Sequence, residues 1–385
     1  MRFADNRNKI GKYIPAVVFL IFIYGMALWF LFSPKTDYSS SEKRYLQKFP
    51  DANVEKVLSG EFGSEFETFF ADQFPQRNTW VGINAYTTLA EGNNGASGVY
   101  NCKNGYLINK PVSTENNLDK NIGAVADFAK SIDTPTTVML VPSTGYIADD
   151  VLPTFHDKYN DDEDISRISS TLSKDKIGFV DLRERFKSEY KNGSQLYYKT
   201  DHHWTTKGAY TGYQELCKAL GITPIDDSTL KKDSYPDFYG TTYSSSGFWL
   251  TPPDNIEIWN NPKNSDRNIS VKITEGANIK TSGSMYFTDH LKEDDKYPVF
   301  IDGNHALTEI TNTNAKNGTI LLIKDSFSHS LAPFLAENYS KVVLVDLRYY
   351  KESVSDLVSD YNPEQVVVLY GIDNLATDTD IVWLK

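Results

Sequence analysis

The sequence predicts an α/β fold with a central, mostly parallel sheet. Short apolar, β-branched runs at residues 136–141, 177–180, 319–323, 342–345 and 366–369 read as strands, and their unbroken apolarity is that of strands covered on both faces. Segments of helical period alternate with them, at about 116–131, 206–220, 330–338 and 352–361, as α/β architecture requires. Size agrees, since 385 residues with 40% hydrophobic and 13% aromatic content can bury a large core. A net charge of -12 argues against nucleic acid as a partner, because phosphate binding needs clustered Lys and Arg.

In chain order, residues 1–12 carry Arg2, Arg7, Lys9 and Lys12 against Asp5, and residues 13–32 carry no charge at all. Twenty apolar residues at about 1.5 Å rise cross a hydrocarbon layer of about 30 Å. The basic flank keeps the N-terminus cytoplasmic and places the remainder outside, as an uncleaved signal anchor. Residues 33–53, polar and Pro-containing, read as a juxtamembrane linker. An extracytoplasmic domain is expected over 54–385, opening with helices at about 54–90 that break at Pro75 and pack on the later sheet. Gly98-Val99-Tyr100 and Gly105-Tyr106-Leu107-Ile108 read as a hairpin. Within the domain, residues 222–300 are rich in turns and alternating strands, which suggests a β/loop insertion over the sheet edge. Cys102 and Cys217, the only cysteines, do not make a disulfide scaffold, and no catalytic cysteine is expected.

Two segments carry chemistry. Lys324-Asp325-Ser326-Phe327-Ser328 follows a buried strand and precedes a helix, the position where open α/β sheets bind ligands. There Ser326 can face solvent as a nucleophile, with the backbone of Asp325 and Phe327 around a developing oxyanion. Capping of the next helix by Asp325 or Ser326 is the plainer reading. Asp201-His202-His203-Trp204 supplies the rest: Thr205 caps the helix that follows, and the histidines sit in the loop at its positive end, which disfavours imidazolium. In an extended stretch Asp201 and His203 face the same way, so Asp201 can orient His203 as the base, with His202 turned away. His329 is a second, less well placed base. A metal site is not expected, because no third ligand at defined spacing is evident.

These segments resemble the DHHW family, which is similar to the SGNH hydrolases and to the alginate O-acetylation proteins of bacterial exopolysaccharide systems. Phe70-Ala71-Asp72-Gln73-Phe74-Pro75-Gln76-Arg77, Val141-Pro142-Ser143, residues 150–153 and Asp346-Leu347-Arg348-Tyr349-Tyr350 extend the resemblance over about 38–385. It implies a three-layer SGNH-like α/β fold in circularly permuted order, with the acid and base before the nucleophile, and a Ser326, His203, Asp201 triad. It further implies O-acetyl transfer to a cell-envelope or secreted polysaccharide, beside a multi-pass membrane acyltransferase that donates the acyl group, with no cofactor and no metal. An acetyl esterase would use the same residues, and a glycan-binding or partner-binding adaptor would use none of them. The chain departs from the family pattern in having Lys324 where those enzymes carry glycine. Their oxyanion glycine and asparagine have two candidate positions, Gly303-Asn304 and Asn374, while Arg348 and Tyr370 are candidate substrate contacts.

Overall fold

A computed structural model describes residues 2–113 and 117–384. The chain divides into two compact units, residues 1–87 and 88–385. In the first, a helix runs from Arg2 to Phe32, and its segment Tyr13–Phe32 is long and apolar enough to cross a membrane. Residues 33–53 are not the featureless linker that their composition suggests. Tyr38–Ser39 pairs with Arg44–Tyr45, and the Arg44 fork grips Asp72 at 2.6 and 2.9 Å, because a buried carboxylate at a helix end needs a charged partner. Gly60, at φ +82°, ends helix Val54–Ser59. The break expected at Pro75 falls between helices Glu61–Asp72 and Arg77–Ala90.

The second unit holds an eight-stranded sheet. Its strands are β1 (Thr136–Val141), β2 (Gly178–Asp181), β3 (Ile269–Glu275), β4 (Asn278–Ser282), β5 (Leu307–Asn312), β6 (Asn317–Lys324), β7 (Tyr339–Val345) and β8 (Gln365–Gly371). They lie in the order β4-β3-β5-β7-β6-β8-β1-β2. The run from β7 to β2 is parallel, whereas β5, β3 and β4 add antiparallel pairs. The alternating stretch at 269–274 thus forms a hairpin, as read, but extends the sheet instead of lying over its edge. Only residues 231–260 of the predicted insertion make a separate ribbon, Lys231–Phe238 against Asp254–Asn260. Residues 99–101 and 107–109 form the expected hairpin.

Successive side chains of the parallel strands enter two apolar cores, one on each face. Ile320, Leu322, Val342 and Leu344 meet helices α3 (Thr206–Leu220) and α4 (Ser328–Leu335). Leu321, Ile323, Val343 and Val345 meet α1 (Asn117–Ser131), α2 (Asp161–Lys174), α5 (Val354–Tyr361) and α6 (Ile372–Thr377). Residues 320–323 are fully buried, each contributing about 1.5–3 kcal/mol of hydrophobic stabilisation. The expected helix at 116–131 begins at Asn117 among the described residues, Asn116 lying outside them. Register then sets the site: Ile323 pairs with Val345, Lys324 with Leu369 and Gly371 with Val141, so four parallel strands end at one edge. Leu307 pairs with Val345 as well, which brings the loop before β5 to that edge.

Candidate active site

Ser326 stands just beyond the carboxyl end of β6, before α4. The Asp325 carboxylate makes this turn: Oδ1 accepts the Phe327 N–H at 2.9 Å, and Oδ2 accepts Gly371 N–H at 2.8 Å and Asn374 Nδ2–H at 2.7 Å. Asp325 thus closes the turn and stitches β6 to β8, no side chain caps α4, and Ser326 is left to face the cleft. The Phe327 ring needs the close approach of Gly371, where a Cβ would lie 2.5 Å from it.

Thr205 caps α3 by accepting Gly208 N–H at 3.1 Å, and Gly221 ends the helix at φ +70°. The loop that feeds this helix carries the tetrad. His203 Nε2 lies 2.7 Å from Ser326 Oγ, and its Nδ1 lies 2.5 Å from Asp201 Oδ1. Residues 201–203 form a bend, not the extended stretch expected, because Asp201 Oδ1 also accepts the His203 backbone N–H at 2.8 Å. That same bend puts the His202 ring 3.9 Å from the His203 ring, so His202 is not turned away. Asp201 Oδ2 accepts the Thr241 N–H at 2.6 Å, and only glycine fits at 240, where a Cβ would fall 2.1 Å from Asp201 Cβ. Burial pushes the Asp201 carboxyl up, but His203, His202 and these donors outweigh it and hold it well below the carboxylate range. His202, bonded to Thr241 Oγ1 at 2.7 Å, is pushed down to about 4 by burial and by His203.

Further side chains complete the surroundings, and of these Tyr297 carries no sequence pattern that would single it out. The Tyr297 ring stacks on His203 at 4.0 Å, and its hydroxyl donates to the Ser326 carbonyl at 3.1 Å. Trp204 Nε1–H reaches the Phe327 carbonyl and Ser330 Oγ, both at 2.9 Å, and so ties the two chemistry-bearing segments together. Phe327 packs edge-on to His203 at 5.1 Å.

Lys324 is buried, its Nζ donating to Asp346 Oδ2 at 2.9 Å and to His329 Nε2 at 2.8 Å. With Nε2 an acceptor, His329 keeps its proton on Nδ1 and has no free lone pair for a serine proton. Burial and then Lys324 hold its pKa well below the usual value. Arg348 pairs with Asp346 at 2.6 Å and with Asn304 Oδ1 at 2.9 Å. Tyr370 is 1% exposed and packs into a core, although it touches the cleft floor. Asn374 gives one amide hydrogen to Asp325, and both Asn374 and Asn304 line the cleft with Ser326, His203 and Arg348, around a volume of about 480 Å³. The Phe327 N–H is likewise taken by Asp325. The N–H of Ser326 has no protein acceptor among the described residues.

Asp201, His202 and His203 offer ligand atoms within 4.8 Å of one another. Both ring nitrogens of His203 are engaged with protein oxygens, so this set suits proton transfer better than cation binding. Cys102 and Cys217 are buried free thiols, each pushed up to about 12 by burial, the reverse of an activated nucleophile.

Fold and site define an α/β protein whose serine, histidine and aspartate converge at the carboxyl edge of a large, mostly parallel sheet. A family model described as DHHW protein matches residues 109–345, more than half of the chain. The chain belongs to the DHHW family. No curated protein matches it significantly. Among solved structures it is similar to a DHHW family protein from Eubacterium siraeum, with 18% identity, coverage of 75% of this chain and 95% of that one, and a TM-score of 0.63. Bacillus cereus PatB1, solved with a sulfonyl adduct, gives 21% identity, coverage of 74% and 97%, and a TM-score of 0.61. At these identities the likeness is one of fold.

Proposed function

We propose that this chain is a membrane-anchored, extracytoplasmic O-acyltransferase that moves an acetyl group onto hydroxyls of a cell-envelope or secreted polysaccharide. One observation carries the reading: Ser326, His203 and Asp201 form an unbroken relay of 2.7 and 2.5 Å contacts at the edge of an open cleft. His203 takes the Ser326 proton as Oγ attacks the donor acyl carbon, and Asp201 stabilises the imidazolium that forms. The Ser326 N–H and the Asn304 amide are the donors for the oxyanion. Collapse of that adduct expels the donor's leaving group, protonated by His203, and leaves an acyl ester on Ser326. His203 then deprotonates a sugar hydroxyl, which attacks the ester and frees the serine. Polysaccharide as acceptor and a membrane acyltransferase as donor follow from the family resemblance, and residues 13–32 supply the anchor.

A sulfonyl fluoride and an aryl acetate test this by intact mass. One adduct on Ser326, absent in Ser326→Ala and slowed at least about 10³-fold in His203→Ala, is expected of a triad. Faster loss of the acetyl adduct with added oligosaccharide, leaving acetylated sugar, supports transfer. Loss to water alone makes the protein an esterase, and no adduct with either reagent would leave an adaptor.

A further inference from the structure

We propose that Arg348 is a positioning residue that aims the Asn304 amide at the oxyanion formed over Ser326, an inference that rests on the serine mechanism above. Arginine carries only donors, so its 2.9 Å contact fixes Oδ1 as the end of the amide that faces the guanidinium. Both Nδ2 hydrogens are left at the other end, and Asn304 lines the cleft that holds Ser326. Among the described residues the Asn304 side chain has no other hydrogen bond.

Arg348 is itself held in place. Its Nε and Nη2 reach Asp346 at 2.9 and 2.6 Å, a forked geometry that fixes the guanidinium plane. Asp346 is fully buried and also takes Lys324 Nζ at 2.9 Å. Lys324 ends β6, two residues before Ser326. A continuous line of charged contacts thus runs from the nucleophile's own strand to the amide across the cleft.

The loop needs that hold. Ile301, Asp302 and Gly303 have φ of +49°, +66° and +84°, a left-handed run immediately before Asn304. Such backbone persists only where its surroundings over-determine it. Asp302 is gripped by Lys280 at 2.6 Å and His290 at 2.8 Å, which anchors the loop but not the Asn304 side chain. Removing Arg348 frees the amide to rotate, and the loss falls on the transition state, not on substrate binding.

A double-mutant cycle on aryl acetate hydrolysis by the full chain tests this. Asn304→Ala is expected to lower kcat about 10²-fold, the usual cost of one oxyanion donor. Arg348→Ala should lower kcat about 10-fold or more with KM within about twofold, and the double variant should be no slower than Asn304→Ala by more than about threefold. Arg348→Lys, which keeps the cation but not the fork, should fall between. If Arg348→Ala does not fold by thermal melting, the cycle is run with Arg348→Lys. Losses that multiply in the double variant, an effect of Arg348→Ala on KM alone, or an inert Asn304→Ala would each overturn the proposal. Sulfonyl labelling of Ser326 is read in parallel: labelling with multiplying losses sinks the role of Arg348 alone, whereas no labelling sinks the serine mechanism itself.

Discussion

Trp204 is fully buried, and its indole N–H is shared between the Phe327 carbonyl and the Ser330 hydroxyl. The contact spans two segments more than 120 residues apart in the chain, and it fixes the turn on which Ser326 sits relative to the loop of His203. Trp204→Phe retains most of the apolar volume and removes the donor. It is expected to cost about 1–3 kcal/mol by urea unfolding, since two buried acceptors lose a partner. Activity should drop further than stability predicts, about 10-fold in kcat at temperatures where the variant is fully folded, because the Ser326–His203 distance is no longer pinned. Unchanged kcat in the folded variant would show that α3 and α4 hold the turn unaided. At this scale the sequence reveals residues whose chemistry is rare and whose placement is distinctive: Asp201, His203 and Ser326 are such. Tyr297, one of 24 tyrosines, carries no such mark, and only tertiary packing puts its ring on His203. Arg348, read from the sequence as a candidate substrate contact, is also held in a fork on Asp346.

Where β1 and β8 end side by side, three short polar side chains meet. Asp161, at the start of α2, accepts the Ser143 N–H at 2.7 Å and has Ser143 Oγ at 3.0 Å, while Asp373 Oδ1 lies 3.3 Å from the same hydroxyl. One hydroxyl has a single proton to give, so holding both acids favours a proton on one of them. Burial raises Asp161 to about 6, and burial followed by repulsion from Asp161 raises Asp373 to about 7. The sign follows from linkage. Between about pH 4, where an unfolded Asp titrates, and pH 7 this pair binds more protons in the folded chain than in the unfolded one, so it lowers stability as pH rises through that window. Asp373→Asn should remove much of the decline and stabilise the protein at pH 8 by about 1–2 kcal/mol relative to pH 5, read from urea midpoints. An equal decline in variant and parent would place the pH sensitivity elsewhere. The strands that frame this corner are legible because apolar runs such as Val366-Val367-Val368-Leu369 have no polar face. β5 is not: Leu307-Thr308-Glu309-Ile310-Thr311-Asn312 has no unbroken apolar run, yet Thr308, Glu309 and Asn312 are buried. Tertiary pairing overrode composition there, whereas the hairpin of β3 and β4 was legible and only its pairing onto the sheet was not.

At the scale of the whole molecule, the division into residues 1–87 and 88–385 separates the apolar helix from the chemistry. Every residue lining the cleft lies beyond position 200, and the three large apolar cores draw on residues from Tyr100 onward. Stability of the second unit therefore rests on its own burial, and Ser326, His203 and Asp201 lie at one sheet edge within it. The first unit supplies a stretch, Tyr13–Phe32, whose side chains are mostly exposed, a cost in water that a bilayer relieves. Under the proposed function, anchoring and catalysis are therefore separable. The full chain is expected in the membrane fraction after alkaline carbonate washing, and a version lacking residues 1–33 in the soluble fraction. Both should label at Ser326 with a sulfonyl fluoride at rates within about twofold, since no catalytic contact is removed. A full chain that washes free in carbonate would make the helix something other than an anchor. A soluble version that folds, by circular dichroism and cooperative melting, yet labels much more slowly would mean that the first unit acts on the site, and that the two units do more together than share a chain.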